Sequence, residues 1–154
     1  MIREAGTLET RIKADTVVAL KAGDKQRTQA LRLLTAALKK ERIDAGETPD
    51  EAAEIVVLKR ERKRRLEAAE LYDGAGRAEL AAQERYEEGL IVAYLPPELG
   101  DDELAAIVDE TIAESGAVTP KDMGKVMGAV MKKVAGRADG GLVNKLVRSR
   151  LGGQ

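Results

Sequence analysis

Apolar residues recur along this chain at intervals of three and four positions, which is the spacing of amphipathic helices. No stretch shows the strict alternation of apolar and polar residues that is typical of a strand. Phe and Trp are absent and Tyr occurs three times, so a core must be built from aliphatic residues and Met. We therefore predict an all-α fold, with an N-terminal helical-hairpin domain followed by a small three-helix C-terminal domain.

The first 95 residues predict four helices joined by short turns, which are expected to pack as antiparallel hairpins. The helices are predicted over residues 3–22, from the Asp24 cap to Ala45, from the Thr48-Pro49-Asp50-Glu51 capping box to about Tyr72, and from Arg77 onward. The expected core residues are Leu8, Ile12, Leu20, Leu31, Leu34, Leu38, Val56, Leu58, Leu66, Leu80, Leu90, Ile91 and Tyr94. Leu33 and Ile43 lie off the stripe of the second helix, which predicts that this helix is covered on more than one side.

A domain boundary is predicted at residues 95–100. Pro96 and Pro97 forbid continuation of a helix, and the composition changes there from mixed charge to purely acidic. We therefore assign residues 1–95 to the N-terminal helical domain and residues 96–154 to the three-helix domain. The first helix of the latter is predicted over Asp101–Ser115, with Leu104, Ile107, Val108 and Ile112 as its apolar stripe.

The segment Thr119–Leu151 predicts two further helices around a tight turn. Thr119 and Pro120 are a start signal, Gly136 is a stop signal, and Asp139 can cap the second helix. The apolar faces are expected to consist of Met123, Val126, Met127, Val130 and Val134 in the first helix and Leu142, Val143, Leu146 and Val147 in the second. Lys121, Lys125 and Lys132 are predicted to align on the opposite side of the first.

Composition narrows the possible chemistry. Cys and His are absent, which excludes disulfides, thiolate zinc sites and the usual catalytic triads and dyads. No Gly-rich phosphate loop follows a strand pattern, and we expect no catalytic residue, no metal and no cofactor. No signal peptide is visible and the longest uncharged run, Gly89–Pro97, is too short to cross a membrane, so we expect a cytoplasmic protein without a membrane partner.

Charge is distributed unevenly although the net charge is only −1. Residues 96–120 carry seven acidic and no basic residues, whereas residues 121–154 carry eight basic and two acidic residues. A one-sided basic surface indicates an anionic partner. The candidate RNA-binding residues are Lys121, Lys125, Lys132, Lys133, Arg137, Lys145 and Arg148. The scarcity of aromatic residues disfavours stacking on single-stranded bases and favours a folded RNA read through its backbone and shape.

Three other features each allow two interpretations. The basic run Lys59–Arg65 is either a self-paired, solvated helix or a phosphate-binding strip. Gly124 and Gly128 allow the close approach of either a neighbouring helix or an RNA backbone. Met123, Met127 and Met131 belong either to the core or to a ligand groove.

The segment Asp122–Leu151 resembles the C-terminal domain of the GatB/YqeY family. The stretch from Arg64 through Gly76-Arg77, Glu84 and Tyr94-Leu95-Pro96 to Glu103-Leu104 resembles the stand-alone YqeY-like proteins in particular. The resemblance implies an all-helical protein whose C-terminal domain is similar to the tail of the GatB component of tRNA-dependent amidotransferases, and that tail contacts tRNA.

The resemblance also implies an association with carbon–nitrogen ligases that use glutamine as amide donor on Glu-tRNA(Gln) or Asp-tRNA(Asn). This chain lacks the kinase-like body of GatB, and the amidase site belongs to another component of those enzymes. The first hypothesis is therefore a non-catalytic tRNA- or RNA-binding adaptor, with an amidotransferase or a tRNA synthetase as a candidate protein partner. The alternatives are an accessory amidotransferase subunit and a protein-interaction module.

Overall fold

The computed structural model describes residues 4–152, and within that range it contains α-helices and one 3₁₀ turn but no strand. The predicted all-α fold is confirmed. The helices are α1 Thr7–Lys21, α2 Lys25–Ala45, α3 Glu51–Gly74, α4 Ala78–Val92, α5 Asp101–Ser115, α6 Met123–Val134 and α7 Gly140–Arg150, and the 3₁₀ turn is Pro120–Asp122. The chain divides into two compact units, unit 1 (residues 1–95) and unit 2 (residues 96–154). That these units are independent domains stays a prediction.

Unit 1 consists of two helical hairpins, α1 with α2 and α3 with α4. Their shared core contains Leu8, Ile12, Ala19, Leu31, Leu34, Leu38, Ile55, Val57, Leu58, Ile91 and Tyr94. Tyr94 lies just beyond α4, where its hydroxyl donates to Asp15 and the Arg11 guanidinium lies 4.8 Å from the ring centroid. Burial and the Asp15 carboxylate raise the pKa of Tyr94 to about 12. The tyrosine thereby fastens the end of α4 to α1.

Several core predictions for unit 1 are wrong because the helices are rotated relative to the expected stripes. Leu20, Val56, Leu66 and Leu80 are exposed, and Ala19, Ile55 and Ala81 are buried instead. Leu33 and Ile43 are also exposed, so α2 is not covered on a second side within unit 1. Residues 4–6 precede α1 and are not helical, and the predicted start at Arg3 lies outside the described residues.

The first turn of α1 is capped from another helix. Gly6 occupies the N-cap position without a side chain, and the Glu54 carboxylate on α3 accepts the N–H groups of Leu8 (3.0 Å) and Glu9 (2.8 Å). A Cβ on residue 6 would lie 2.5–2.7 Å from that carboxylate, so glycine leaves the space that the cap needs. The start of α3 itself is capped by Asp50, which accepts the N–H of Ala53 at 2.8 Å, and not by Thr48 as the capping-box pattern predicted.

A buried ion pair joins α1 to α2. Arg42 donates from Nε and Nη2 to the two carboxylate oxygens of Glu9 at 3.0 and 3.1 Å, and Lys13 approaches the same carboxylate at 3.0 Å. The side chains of Arg42 and Glu9 are 4% and 0% exposed. Burial acts to raise the pKa of Glu9, but the hydrogen bonds and charges of Arg42 and Lys13 outweigh it and lower that pKa.

Unit 2 packs α5, α6 and α7 around an aliphatic core. Its fully or nearly buried residues are Leu104, Val108, Ala117, Val126, Val130, Val134, Ala138, Val143, Val147 and Leu151. Ile107, Ile112, Met123, Met127 and Leu146 are partly buried against this core, as predicted, whereas Leu142 is 46% exposed and its core assignment is wrong. Two of the three methionines in α6, Met123 and Met127, therefore lie on the core side of that helix.

The turn between α6 and α7 contains a non-glycine residue in the left-handed region. Helix α6 ends at Val134, before the predicted stop at Gly136, and Ala135 has φ 47°. Gly136 follows with φ 80°, and the N–H of Arg137 then donates to the carbonyl of Val134 at 2.9 Å. Asp139 occupies the N-cap position of α7 as predicted, but its side chain makes no capping hydrogen bond.

Candidate nucleic-acid interface

The surface of α6 that points away from the core of unit 2 is cationic. Lys125 and Lys132 lie about 140° and 160° around the helix axis from the fully buried Val130. Both lysines are exposed, and neither makes an ion pair with any described residue. The sequence of α6 contains no Asp or Glu that could neutralise them. The predicted alignment of these two lysines therefore holds in the structure.

Lys121 lies one turn earlier, in the 3₁₀ turn and not in α6 itself. At the predicted start signal, Thr119 and Asp122 form a capping box, in which the Asp122 carboxylate accepts the N–H groups of Val118 and Thr119 at 3.3 and 3.4 Å. Lys121 is exposed and has no ion-pair partner among residues 4–152. It extends the run of unpaired cations toward the start of α6.

Two glycines lie beside the lysines. Gly124 and Gly128 are about 120° and 160° around the axis from Val130, and a Cβ built on either would meet nothing within 4 Å. No described helix uses them for close approach, so that interpretation of the pair is wrong within the described chain. We call Gly124, Lys125, Gly128 and Lys132 the α6 outward face. This face combines the positive charge of two lysines with main chain that is exposed at two glycines.

Helix α7 contributes two more exposed cations. Lys145 lies about 160° and Arg148 about 100° around the axis from the buried Val147. Neither side chain pairs with an acidic group in the part of the chain that the structure describes. Six of the seven predicted binding residues thus have no ion-pair partner among the described residues: Lys121, Lys125, Lys132, Arg137, Lys145 and Arg148.

Lys133 and Arg137 make side-chain hydrogen bonds inside unit 2, and only that of Lys133 is an ion pair. Lys133 donates to the Glu114 carboxylate of α5 at 2.8 Å, and this contact lowers the pKa of Glu114. Arg137 donates from Nε to the carbonyl of Pro97 at 3.1 Å, and its own carbonyl accepts the N–H of Leu99 at 2.7 Å. Arg137 thereby joins the α6–α7 turn to the segment that leads into α5.

One cation outside the predicted set, like Lys133, pairs with a carboxylate of α5. Arg150, at the end of α7, donates from Nε to the Asp109 carboxylate of α5 at 2.8 Å. The partners are 41 positions apart in the sequence, which hides this ion pair from a local sequence pattern. Its position three residues after the buried Val147 is the available signal, because that spacing puts a side chain on the flank of an apolar stripe.

The basic run Lys59–Arg65 in unit 1 is largely paired. Arg60 contacts Glu41, Arg62 contacts Glu88, Lys63 contacts Glu67, Arg64 contacts Glu61, and Arg65 contacts both Glu61 and Glu87. Pairing of this kind leaves little positive charge for a phosphate-binding strip. The self-paired interpretation of the run is the one that the structure supports.

A cavity of about 510 Å³ in unit 1 opens between the end of α2 and the start of α3. Three of its acidic lining residues are already engaged: Asp50 caps α3, Glu54 caps α1 and Glu41 pairs with Arg60. We assign no chemistry to it. Among residues 4–152, no group of three or more acidic side chains is arranged to hold a metal ion, and no helix is long and apolar enough to cross a membrane.

Comparison with known proteins identifies the family. A family model described as Yqey-like protein matches residues 9–151. The chain belongs to the YqeY-like family. The match spans helices of both units, includes the whole α6 outward face, and is consistent with a GatB-related domain. No curated protein matches the chain at a significant level.

Proposed function

We propose that this YqeY-like protein is a non-catalytic adaptor that binds tRNA or another structured RNA and is related to glutamine-dependent Glu-tRNA(Gln)/Asp-tRNA(Asn) amidotransferases. The observation that carries the proposal is the α6 outward face, where Lys125 and Lys132 project into solvent without an ion-pair partner among the described residues. Lys121, Lys145 and Arg148 are further exposed cations of unit 2. Lysine and arginine neutralise phosphates and release counterions, which supplies affinity without reading sequence.

The composition of unit 2 favours paired or folded RNA over single strands. All three tyrosines lie in unit 1, so residues 96–154 contain no aromatic side chain on which an unpaired base could stack. Recognition of an RNA helix uses phosphate and 2′-hydroxyl contacts, for which cations and exposed main chain are sufficient. Gly124 and Gly128 offer such main chain next to the lysines, because no side chain covers it.

Binding of tRNA transcripts at low salt tests the proposal. The K121E/K125E/K132E variant is expected to lose tRNA binding. The control variant K21E/K25E/K39E changes the charge equally at three exposed lysines of unit 1 that make no ion pair with a described residue, and it is expected to keep most of the binding. Undetectable binding by the unaltered protein, or equal losses in the two variants, would contradict the proposal.

Family membership supports one further candidate, an accessory subunit of a carbon–nitrogen ligase with glutamine as amide donor. This candidate predicts glutamine-dependent amidation of charged tRNA only when the protein is combined with the glutaminase and kinase-like subunits. A tRNA synthetase or amidotransferase is the protein partner that either version requires. Both proposed functions imply a cytoplasmic location, where aminoacylated tRNA is available.

A further inference from the structure

Two cations of unit 2 each hold a carboxylate oxygen at a distance that also suits a phosphate oxygen. Lys133 Nζ lies 2.8 Å from an oxygen of Glu114, and Arg150 Nε lies 2.8 Å from an oxygen of Asp109. Charge-assisted hydrogen bonds from lysine and arginine to phosphate oxygens have the same length and the same donor atoms. A carboxylate in this position is therefore a chemical stand-in for a phosphodiester oxygen.

The two ion pairs have equivalent places in the fold. Lys133 and Arg150 each follow a fully buried valine, Val130 and Val147, by three residues, about 60° around the axis from it. That position puts each cation at the edge of the apolar stripe, where it meets α5. Asp109 and Glu114 are about 140° apart around the axis of α5. Asp109 therefore pairs with Arg150 on α7, and Glu114 pairs with Lys133 on α6.

Both pairs are exposed enough to exchange partners. The side chains of Lys133 and Glu114 are 34% and 58% exposed, and those of Arg150 and Asp109 are 41% and 56% exposed. Exposed pairs are held weakly because water and salt screen them. Release requires only side-chain rotation, since neither pair contributes to the aliphatic core of unit 2.

We propose that Lys133 and Arg150 are latent phosphate-binding residues, and that Glu114 and Asp109 are built-in competitors which RNA phosphates displace. This inference rests on the proposed RNA-binding function and extends it by adding Arg150 to the contact set. The competitors make binding selective for a dense array of phosphates. A lone anion gains too little to displace a tethered carboxylate, whereas an RNA backbone already held by the free cations presents phosphates at high effective concentration.

The test removes the competitors and measures tRNA binding at several salt concentrations. In D109N/E114Q, the affinity at low salt is expected to rise about tenfold. The slope of log K against log salt is expected to steepen by up to about 1.8, because the two phosphate contacts of Lys133 and Arg150 then release counterions without a displaced carboxylate taking up cations in exchange. Circular dichroism confirms that the helices of the variant remain intact.

A matched control separates local competition from a general loss of negative charge. D102N/E103Q removes two charges from the exposed first turn of the same helix, where neither side chain makes an ion pair with a described residue. It is expected to raise affinity at most about twofold. Adding K133Q/R150Q to D109N/E114Q is expected to abolish the gain, because the groups that would hold the additional phosphates are then missing.

Equal gains in D109N/E114Q and D102N/E103Q would overturn the inference, as would a gain that survives K133Q/R150Q. Either result leaves the proposed function standing, because the unaltered protein still binds tRNA. Absence of tRNA binding in the unaltered protein and in every variant would instead reject the proposed function, and with it this inference.

Discussion

The carboxylate of Glu54 occupies the space that a side chain on Gly6 would take. The carboxylate of Glu54 reaches from α3 to the first turn of α1, where it accepts two main-chain N–H groups. It comes within 2.5 Å of the place where a Cβ on residue 6 would be. An α-helix leaves its first N–H groups without internal partners, so this contact replaces the missing side-chain cap. Capping from a distant helix also fixes how α1 and α3 are aligned within unit 1.

Gly6→Ala is expected to destabilise unit 1 by about 1–2 kcal/mol, because the new Cβ displaces the Glu54 carboxylate from the cap. Gly89→Ala is the matched control, since Gly89 lies inside α4 with nothing within 4 Å of a built Cβ. The control is expected to stabilise the protein by up to about 1 kcal/mol through helix propensity. Urea unfolding followed by circular dichroism measures both. A G6A variant as stable as the unaltered protein would show that the cap contributes nothing.

Glu9→Gln is expected to destabilise unit 1 at pH 7, because it removes the charged carboxylate that accepts two hydrogen bonds from Arg42. The pKa of Glu9 is lowered in the folded state, so its contribution is present above the unfolded-state pKa and is lost as pH falls toward the folded-state value. The stability difference between E9Q and the unaltered protein should therefore shrink as pH is lowered through that range. Urea denaturation from pH 7 to pH 3 measures it. A difference that is constant with pH would contradict the ion pair.

Glu84→Gln is expected to stabilise the protein at pH 7, in contrast to Glu9→Gln. Burial first, and then the neighbouring Glu87 charge, raise the pKa of Glu84 in the folded state. A carboxyl with a raised folded-state pKa stabilises the fold below the unfolded-state pKa and loses that contribution as pH rises through the folded-state pKa. E84Q, which stays neutral, should be more stable than the unaltered protein at pH 7 and equally stable near pH 3. Thermal denaturation at the two pH values provides the comparison.

Ala135→Gly is expected to stabilise unit 2 by about 1 kcal/mol. Ala135 has φ 47°, a conformation that costs a residue with a Cβ about 1–2 kcal/mol and costs glycine little. The substitution leaves the buried Val134 and the cationic residues of α6 unchanged, so tRNA affinity should stay the same. Thermal denaturation measures the gain. A loss of stability would mean that flexibility of glycine in the unfolded chain outweighs relief of strain.

Local patterns predicted the helices well because start and stop signals act over a few residues. Asp24 and Gly46 delimit α2 as predicted, and α5 has the predicted bounds. The buried side of each helix was harder to predict, since several apolar residues surround the axis. Leu20 and Val56 are exposed because Ala19 and Ile55 occupy the inner positions. Such a rotation depends on the neighbouring helix, which periodicity along one helix does not describe.

The cationic surface could be predicted only in part, because ion pairs between helices also depend on neighbouring helices. Lys125 and Lys132 face away from an apolar stripe that the sequence itself displays. Whether a cation has a partner depends on residues far along the chain, as in the pairs of Lys133 with Glu114 and of Arg150 with Asp109. The sequence therefore predicted where positive charge lies, while the structure distinguishes unpaired cations from those that α5 already engages.

The salt dependence of tRNA binding tests the central claim most directly. We expect log K to fall linearly with log salt for the unaltered protein. In K121Q/K125Q/K132Q the slope should be shallower by about 2–3, because three phosphate contacts and their counterions are lost. In K21Q/K25Q/K39Q, which loses the same charge from unit 1, the slope should stay the same. Equal slopes for the α6 variant and the unaltered protein would contradict the assignment of these lysines to the RNA interface.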